Sequence, residues 1–159
     1  MKCPYWVVKG ELAGSCAPRG VKDVENWARM GVKAVVSLME DFEFDELGFP
    51  LSDYVDALRR FNIRFLHAPT TDGEPPPSDV FMAILRWISD RVNGGEPVLV
   101  HCNAGVGRSP TVIIGYLMYK GYSLRDAYRL VSSINDEVSL SLTQALALER
   151  LEESLRRRT

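Results

Sequence analysis

The spacing of apolar residues divides the chain into alternating strands and helices. Val21, Val24, Trp27 and Ala28 recur at helical spacing up to a stop at Gly31, which predicts a helix over 21–30. Ala34 to Leu38 is an apolar, β-branched run short enough for a buried parallel strand. Ser52 to Arg60 reads as a helix capped by Ser52, and 63–67 as the next strand. Ser78 caps a helix whose residues Val80, Phe81, Ile84, Leu85, Trp87, Ile88 and Val92 give a wide buried face up to Gly94-Gly95. A strand over 97–101 follows. The segment 111–119 is apolar nearly all round, as a central helix would be, and Gly121 ends it. Two closing helices begin at Ser123 and near Ser141, with a break at Asn135-Asp136. Near the start, Tyr5 to Val8 and Leu12-Ala13 read as two short strands or an edge hairpin, and 14–18 as a loop.

This alternation predicts an α/β fold: a central, mainly parallel sheet of four to five strands flanked by helices. In such sheets the site lies beyond the carboxyl ends of the strands. Three loops leave strands at that rim. The first is acidic, Glu40 to Glu46, and reads as a solvated loop with Phe42 and Phe44 folded beneath it. The second, Pro69 to Pro77, holds four prolines and is a stiff loop. The third follows the 97–101 strand.

That third loop carries the chemistry. Cys102, Asn103, Ala104, Gly105, Val106, Gly107, Arg108 and Ser109 join an apolar strand to a helix. Such a loop turns backbone N–H groups inward, and the helix N-terminus adds partial positive charge, so it forms a cradle for an anion such as phosphate. Those features favour a charged sulfur on Cys102, a nucleophile. Arg108 offers a planar fork for two phosphoryl oxygens. Gly105 and Gly107 allow unusual backbone angles and close approach of the amides, and Pro110 sits near a helix start, where its missing N–H costs nothing.

Composition narrows the partners. The chain has 159 residues, 46% hydrophobic and 25% charged, enough for one globular domain, 1–159, without staples. A formal net charge of -2 supplies no broad basic field for nucleic acid or an anionic membrane. With no apolar signal core at the N-terminus, a soluble cytoplasmic protein is expected. The chain has three cysteines; Cys3 and Cys16 are expected to pack as small hydrophobes, with a bridge between them left open. Arg156, Arg157 and Arg158 complement a helix C-terminus. No metal or cofactor is called for.

His101-Cys102-x5-Arg108-Ser109 resembles the signature of the cysteine-based protein tyrosine phosphatases, in particular their small dual-specificity, archaeal and bacterial members. The resemblance runs from the Ala34 strand to about Gln144. It implies that Cys102 attacks phosphorus to form a phosphocysteine, which water hydrolyses, while Arg108 and the loop amides stabilise the equatorial oxygens. It further implies that Ser109 donates to the departing sulfur and that His101 is a buried orienter of the loop. Asp72 stands where the family carries its general acid, within Pro69-Thr70-Thr71-Asp72, a departure from the Trp-Pro-Asp of larger members; Glu74 is the substitute. Gln144 falls where the family often places a Gln that positions the hydrolytic water, and reads equally as a surface residue. His67 reads as a core residue. The loop interior is uncharged, unlike relatives that meet extra phosphates on phosphoinositides or RNA with Lys or Arg, so a phosphorylated protein or peptide is the expected substrate. A non-protein phosphomonoester is the alternative, and sulfur transfer or arsenate reduction a more distant one. The acidic segment would favour basic residues beside the phosphate.

Overall fold

The computed structural model describes residues 2–158. Strands β1 (Tyr5–Val8) and β2 (Leu12–Ser15) form a hairpin, followed by α1 (Val21–Met30), β3 (Ala34–Ser37), α2 (Asp41–Glu46), α3 (Leu51–Arg60), β4 (Arg64–His67), α4 (Ser78–Asn93), β5 (Val98–His101), α5 (Arg108–Tyr119), α6 (Leu124–Ile134) and α7 (Leu142–Arg157). The sheet order is β1-β2-β5-β3-β4, parallel throughout except for the edge strand β1. The expected α/β architecture is therefore present, with β5 at its centre.

Register explains the two-sided core. Leu12, Ala34 and Val98 lie side by side, as do Ala13, Val35 and Leu99 one residue on. Because side chains alternate along a strand, the first set packs with Phe81, Ile84, Ile113 and Leu148 of α4, α5 and α7 on one face. The second set packs with Trp27, Phe44, Tyr54 and Leu58 of α1, α2 and α3 on the other. Helix α5 lies between helices and sheet, and its residues from Arg108 to Met118 are all buried, which accounts for its unbroken apolar character.

Several sequence expectations change. The acidic segment is not a loop: Asp41–Glu46 is a helix, opened by a capping box in which Glu40 and Glu43 satisfy each other's backbone N–H. Six residues are too few for helical periodicity to show, and the acidic side chains of the first turn match the helix dipole. Phe44 is buried as expected, whereas Phe42 is exposed. Ser52 and Ser78 do not cap their helices: α3 starts at Leu51 behind Pro50, and α4 at Ser78 itself behind Pro77. Gly14 and Ser15 belong to β2 rather than a loop, because their backbone pairs with Val100 and His101. Cys3 and Cys16 are joined by a disulfide instead of packing as separate thiols. Ser123 and Ser141 cap α6 and α7 as expected. No described helix is long and apolar enough to cross a membrane.

Candidate active site

Four parallel strands deliver the site. Beyond β5 the chain enters the Cys102 loop, beyond β2 it reaches Ala17, beyond β3 Leu38, and beyond β4 Thr70. Each of these three neighbours is hydrogen-bonded to the loop or to its arginine: Ala17 N–H donates to the Asn103 carbonyl at 2.8 Å, and the Leu38 and Thr70 carbonyls accept from Arg108 Nη1 at 3.3 and 2.9 Å. The strand ends converge because the parallel register is unbroken.

Cys102 is 2% exposed, and it is the free cysteine among the described residues. Its Sγ lies 3.2 Å from Ser109 Oγ and accepts the Ser109 N–H at 3.4 Å. The Ser109 N–H is thus a donor at the sulfur, and the Ser109 hydroxyl shares a hydrogen bond with it in which either group can donate. Gly105 has φ +79°, in the left-handed region a side chain would oppose. Gly107 differs from the sequence expectation: its φ is -126°, and what it needs is room, since a Cβ there would meet the Gln144 side-chain amide at 3.2 and 3.3 Å.

Arg108 is held by a residue that sequence reasoning left in the solvated segment. Glu43 Oε2 accepts from Nη1 at 2.8 Å and Oε1 from Nη2 at 2.7 Å, with side-chain exposures of 2% for Arg108 and 7% for Glu43. Glu43 also accepts from Asn103 Nδ2 at 3.2 Å and Glu40 N–H at 2.8 Å, so every lone-pair direction is used. Burial pushes the Glu43 carboxyl up, but the Arg108 hydrogen bonds, the Glu40 N–H, the Arg108 charge and Asn103 outweigh it and hold it below 4.5. Nη1 is fully engaged. Nε has no hydrogen-bond partner among the described residues, and Nη2 has one bond for its two protons, so one edge of the fork retains two parallel donors for a dianion.

Asp72 Oδ1 lies 3.6 Å from that Nε, beyond hydrogen-bond length, and its side chain is 90% exposed. The Asp72 carboxylate thus stands over the unengaged edge of Arg108. Glu74 is exposed on the same turn.

His101 is fully buried. Its Nδ1 faces the Cys102 carbonyl at 3.2 Å, which requires a proton on Nδ1, so Nε2 accepts from the Tyr54 hydroxyl at 2.8 Å. Burial lowers its pKa from 6.5 to about 4, against the pull of the Cys102 carbonyl, so the ring is neutral at pH 7. A neutral imidazole is thus fixed at both nitrogens, between the Cys102 carbonyl and the Tyr54 hydroxyl. Burial likewise drives the Tyr54 hydroxyl well above 10, keeping it a donor.

Asn135, which the sequence marks only as a helix break, is the second residue whose part in the site is not visible there. It is fully buried, and its Nδ2 donates to the Gly105 carbonyl at 3.1 Å and to the Tyr5 hydroxyl at 3.2 Å, while Oδ1 accepts Glu137 N–H at 3.1 Å. The bond to the Gly105 carbonyl fixes the peptide plane between Gly105 and Val106. Burial raises the Tyr5 hydroxyl above 10 despite the Asn135 bond, and the nearby Cys102 charge adds to the rise. Gln144 is 1% exposed and is not a surface residue. Its Oε1 accepts Ser141 N–H at 2.9 Å in the α7 capping box, and its amide lies against Gly107. His67 is part-buried, bonded to the Met39 carbonyl at 2.7 Å and stacked on Phe65, a packing position as expected. Among the described residues no group of three or more His, Cys, Asp or Glu is placed to hold a metal.

The strand, loop and helix around Cys102 and Arg108 have the layout that cysteine-dependent phosphatases share, and the comparisons with known proteins agree. The family model described as "PTP-SAK: Swiss Army Knife protein, DSP-PTPase phosphatase domain" matches residues 1–156. The chain is 35% identical over 159 residues to the dual specificity protein phosphatase Mpk3 of Drosophila melanogaster, covering 98% of this chain and 34% of that protein. It is 33% identical over 131 residues to the phosphatidylglycerophosphate phosphatase PTPMT2 of Arabidopsis thaliana, covering 80% of this chain and 54% of that one. Among solved structures, the active form of Tk-PTP superposes with a TM-score of 0.82 at 35% identity, over 94% of this chain and 96% of that chain. The chain belongs to the small, dual-specificity-like branch of the cysteine-based protein tyrosine phosphatases. It spans about a third of the length of the Drosophila relative.

Proposed function

We propose that the chain is one catalytic domain that hydrolyses phosphotyrosine, with phosphoserine and phosphothreonine as further substrates, in phosphorylated proteins or peptides through a phosphocysteine intermediate. The observation that carries this reading is the arrangement of Cys102 Sγ under the Ser109 hydroxyl, with Asp72 above the unengaged edge of Arg108. Cys102 Sγ attacks phosphorus in line with the ester oxygen. Arg108 and the amides from Asn103 to Gly107 hold the three equatorial oxygens. Asp72 gives its proton to the leaving oxygen, then takes one from the water that attacks the phosphocysteine. Ser109 donates to Sγ as it leaves. Gln144, against Gly107, stands beside the loop where that water would enter.

The uncharged interior of the loop favours a single phosphoryl group, and naming of the Drosophila relative as a protein phosphatase supports a protein substrate. The naming of the Arabidopsis relative keeps a lipid phosphomonoester as the comparison to test. The bridge between Cys16 and Cys3 leaves no second free thiol near Cys102 among the described residues, which favours phosphoryl over sulfur transfer. The free Cys102 thiol suits a cytoplasmic location, whereas the Cys3–Cys16 bridge suits an oxidising compartment and counts against that expectation. Rates on matched phosphotyrosine, phosphoserine, phosphothreonine and phosphoinositide substrates test the proposal. The expected result is hydrolysis of the phosphopeptides, lost in Cys102→Ser; a preference for the phosphoinositide, or turnover by Cys102→Ser, would overturn it.

A further inference from the structure

The turn that carries Asp72 is gripped from both sides. Thr71 to Glu74 is a β-turn closed by the Glu74 N–H on the Thr71 carbonyl at 3.0 Å, with Gly73 at φ +83°. Because the Asp72 side chain is 90% exposed, packing does not place it; the backbone of the turn does. On the stem side, Thr70 N–H donates to the Leu38 carbonyl at 3.0 Å and Arg108 Nη1 to the Thr70 carbonyl. On the far side, the Gly73 carbonyl accepts from Ser141 Oγ at 2.7 Å and Thr143 Oγ1 at 3.2 Å, and the Glu74 carbonyl accepts more weakly from Gln144 Nε2 at 3.4 Å. The same stretch holds the phosphate loop, through Ser139 N–H on the Val106 carbonyl at 2.8 Å and Gln144 against Gly107.

We infer that Ser141 and Thr143 are positioning residues for proton transfer, a pair of hydroxyls that latches the Asp72 turn through the Gly73 carbonyl. This rests on the reading of Asp72 as the general acid. The chemistry of Ser141 fits two jobs at once: its oxygen accepts the Gln144 N–H at 3.1 Å as the α7 cap, while its single proton goes to Gly73. Neither hydroxyl has to touch substrate. Residues 139–144 therefore tie the acid turn and the phosphate cradle into one frame, so the acid stands at a fixed height above the bound phosphoryl group. Release of the latch leaves the cradle and nucleophile in place and lets the acid swing away with its exposed turn.

The test separates these jobs. Ser141→Asp keeps a cap acceptor for the Gln144 N–H but has no proton for Gly73, and Thr143→Val removes its hydroxyl with little change of shape. The double variant is compared with wild type, Ser141→Thr and Asp72→Ala on a phosphotyrosine peptide and on an aryl phosphate with a strongly acidic leaving group, reading kcat/KM, which reports the step in which the ester bond breaks. The expected result is a loss of about 10-fold on the peptide for the double variant and less than about 2-fold on the acidic-leaving-group substrate. Ser141→Thr, which retains cap and donor, stays close to wild type. Equal losses on both substrates, or no loss on the peptide, overturn the latch. If Asp72→Ala shows the leaving-group dependence and the double variant does not, the acid assignment stands and the latch alone fails; if Asp72→Ala shows none, the acid assignment falls and takes the latch with it.

Discussion

Both oxygens of the Glu43 carboxylate grip the Arg108 guanidinium, at 2.7 and 2.8 Å, with the two side chains almost wholly out of water. The arginine is thus fixed before any anion arrives, by the one helix that sequence reasoning did not find. Removing a partner from a buried pair strands the other charge, so Glu43→Ala should cost about 3–5 kcal/mol of stability. Glu43→Gln keeps the shape and loses the charge. It should lower kcat/KM by on the order of 100-fold through misplacement of Arg108, measured beside a denaturation curve that shows the variant folded.

Acid should weaken the fold through two groups of opposite type. The Glu43 carboxyl is held below 4.5, so its contribution is complete above that value and is lost as pH falls through its lower folded value. His101 is held neutral, its pKa moved from 6.5 to about 4; between those values the unfolded chain takes up a proton that the folded one refuses. That difference is worth about 3 kcal/mol, fully present above pH 6.5 and lost as pH falls toward 4. Urea midpoints from pH 7.5 to 4 should fall steadily, and the His101 ring proton should show no titration in NMR above about pH 5.

Asn135→Ala should leave the buried Gly105 carbonyl without a donor, at a cost of about 1–3 kcal/mol, and free its peptide plane. The affinity for vanadate, which depends on the loop amides, should fall. Tyr5→Phe removes only the outer bond and should show a smaller effect on the same binding measurement.

The Cys3–Cys16 bridge closes a loop of 13 positions in sequence. A loop of that length implies about 3 kcal/mol from restriction of the unfolded chain. Reductant should lower the wild-type melting temperature, and Cys3→Ser should melt low with or without it. The bridge also anchors the N-terminal segment next to Tyr5 and the end of β2, beyond which Ala17 N–H bonds the Asn103 carbonyl, so vanadate affinity offers a second reading on the same samples.

Much of this protein is written in short-range pattern. The periodicities place eleven of the twelve elements near their observed bounds, since a strand or helix of ordinary length repeats its apolar face often enough to be seen. Helix α2, with six residues, does not. The phosphate loop was legible because its parts are contiguous from His101 to Ser109, and local geometry turns that run into a cradle.

What only the tertiary structure decided are the partners of that loop and of the turn that carries Asp72. Glu43 reaches Arg108 across 65 positions, Tyr54 reaches His101 across 47, Asn135 reaches Gly105 across 30, and Ser141 reaches Gly73 across 68. Each is a polar residue of ordinary type, and no local period marks the partner it reaches. Their choice follows from the sheet order β1-β2-β5-β3-β4, which brings the ends of four parallel strands together and buries groups that must then find hydrogen-bond partners wherever the fold supplies them. The sequence by itself determined which residues are proposed to react; the parallel sheet decided what holds them still.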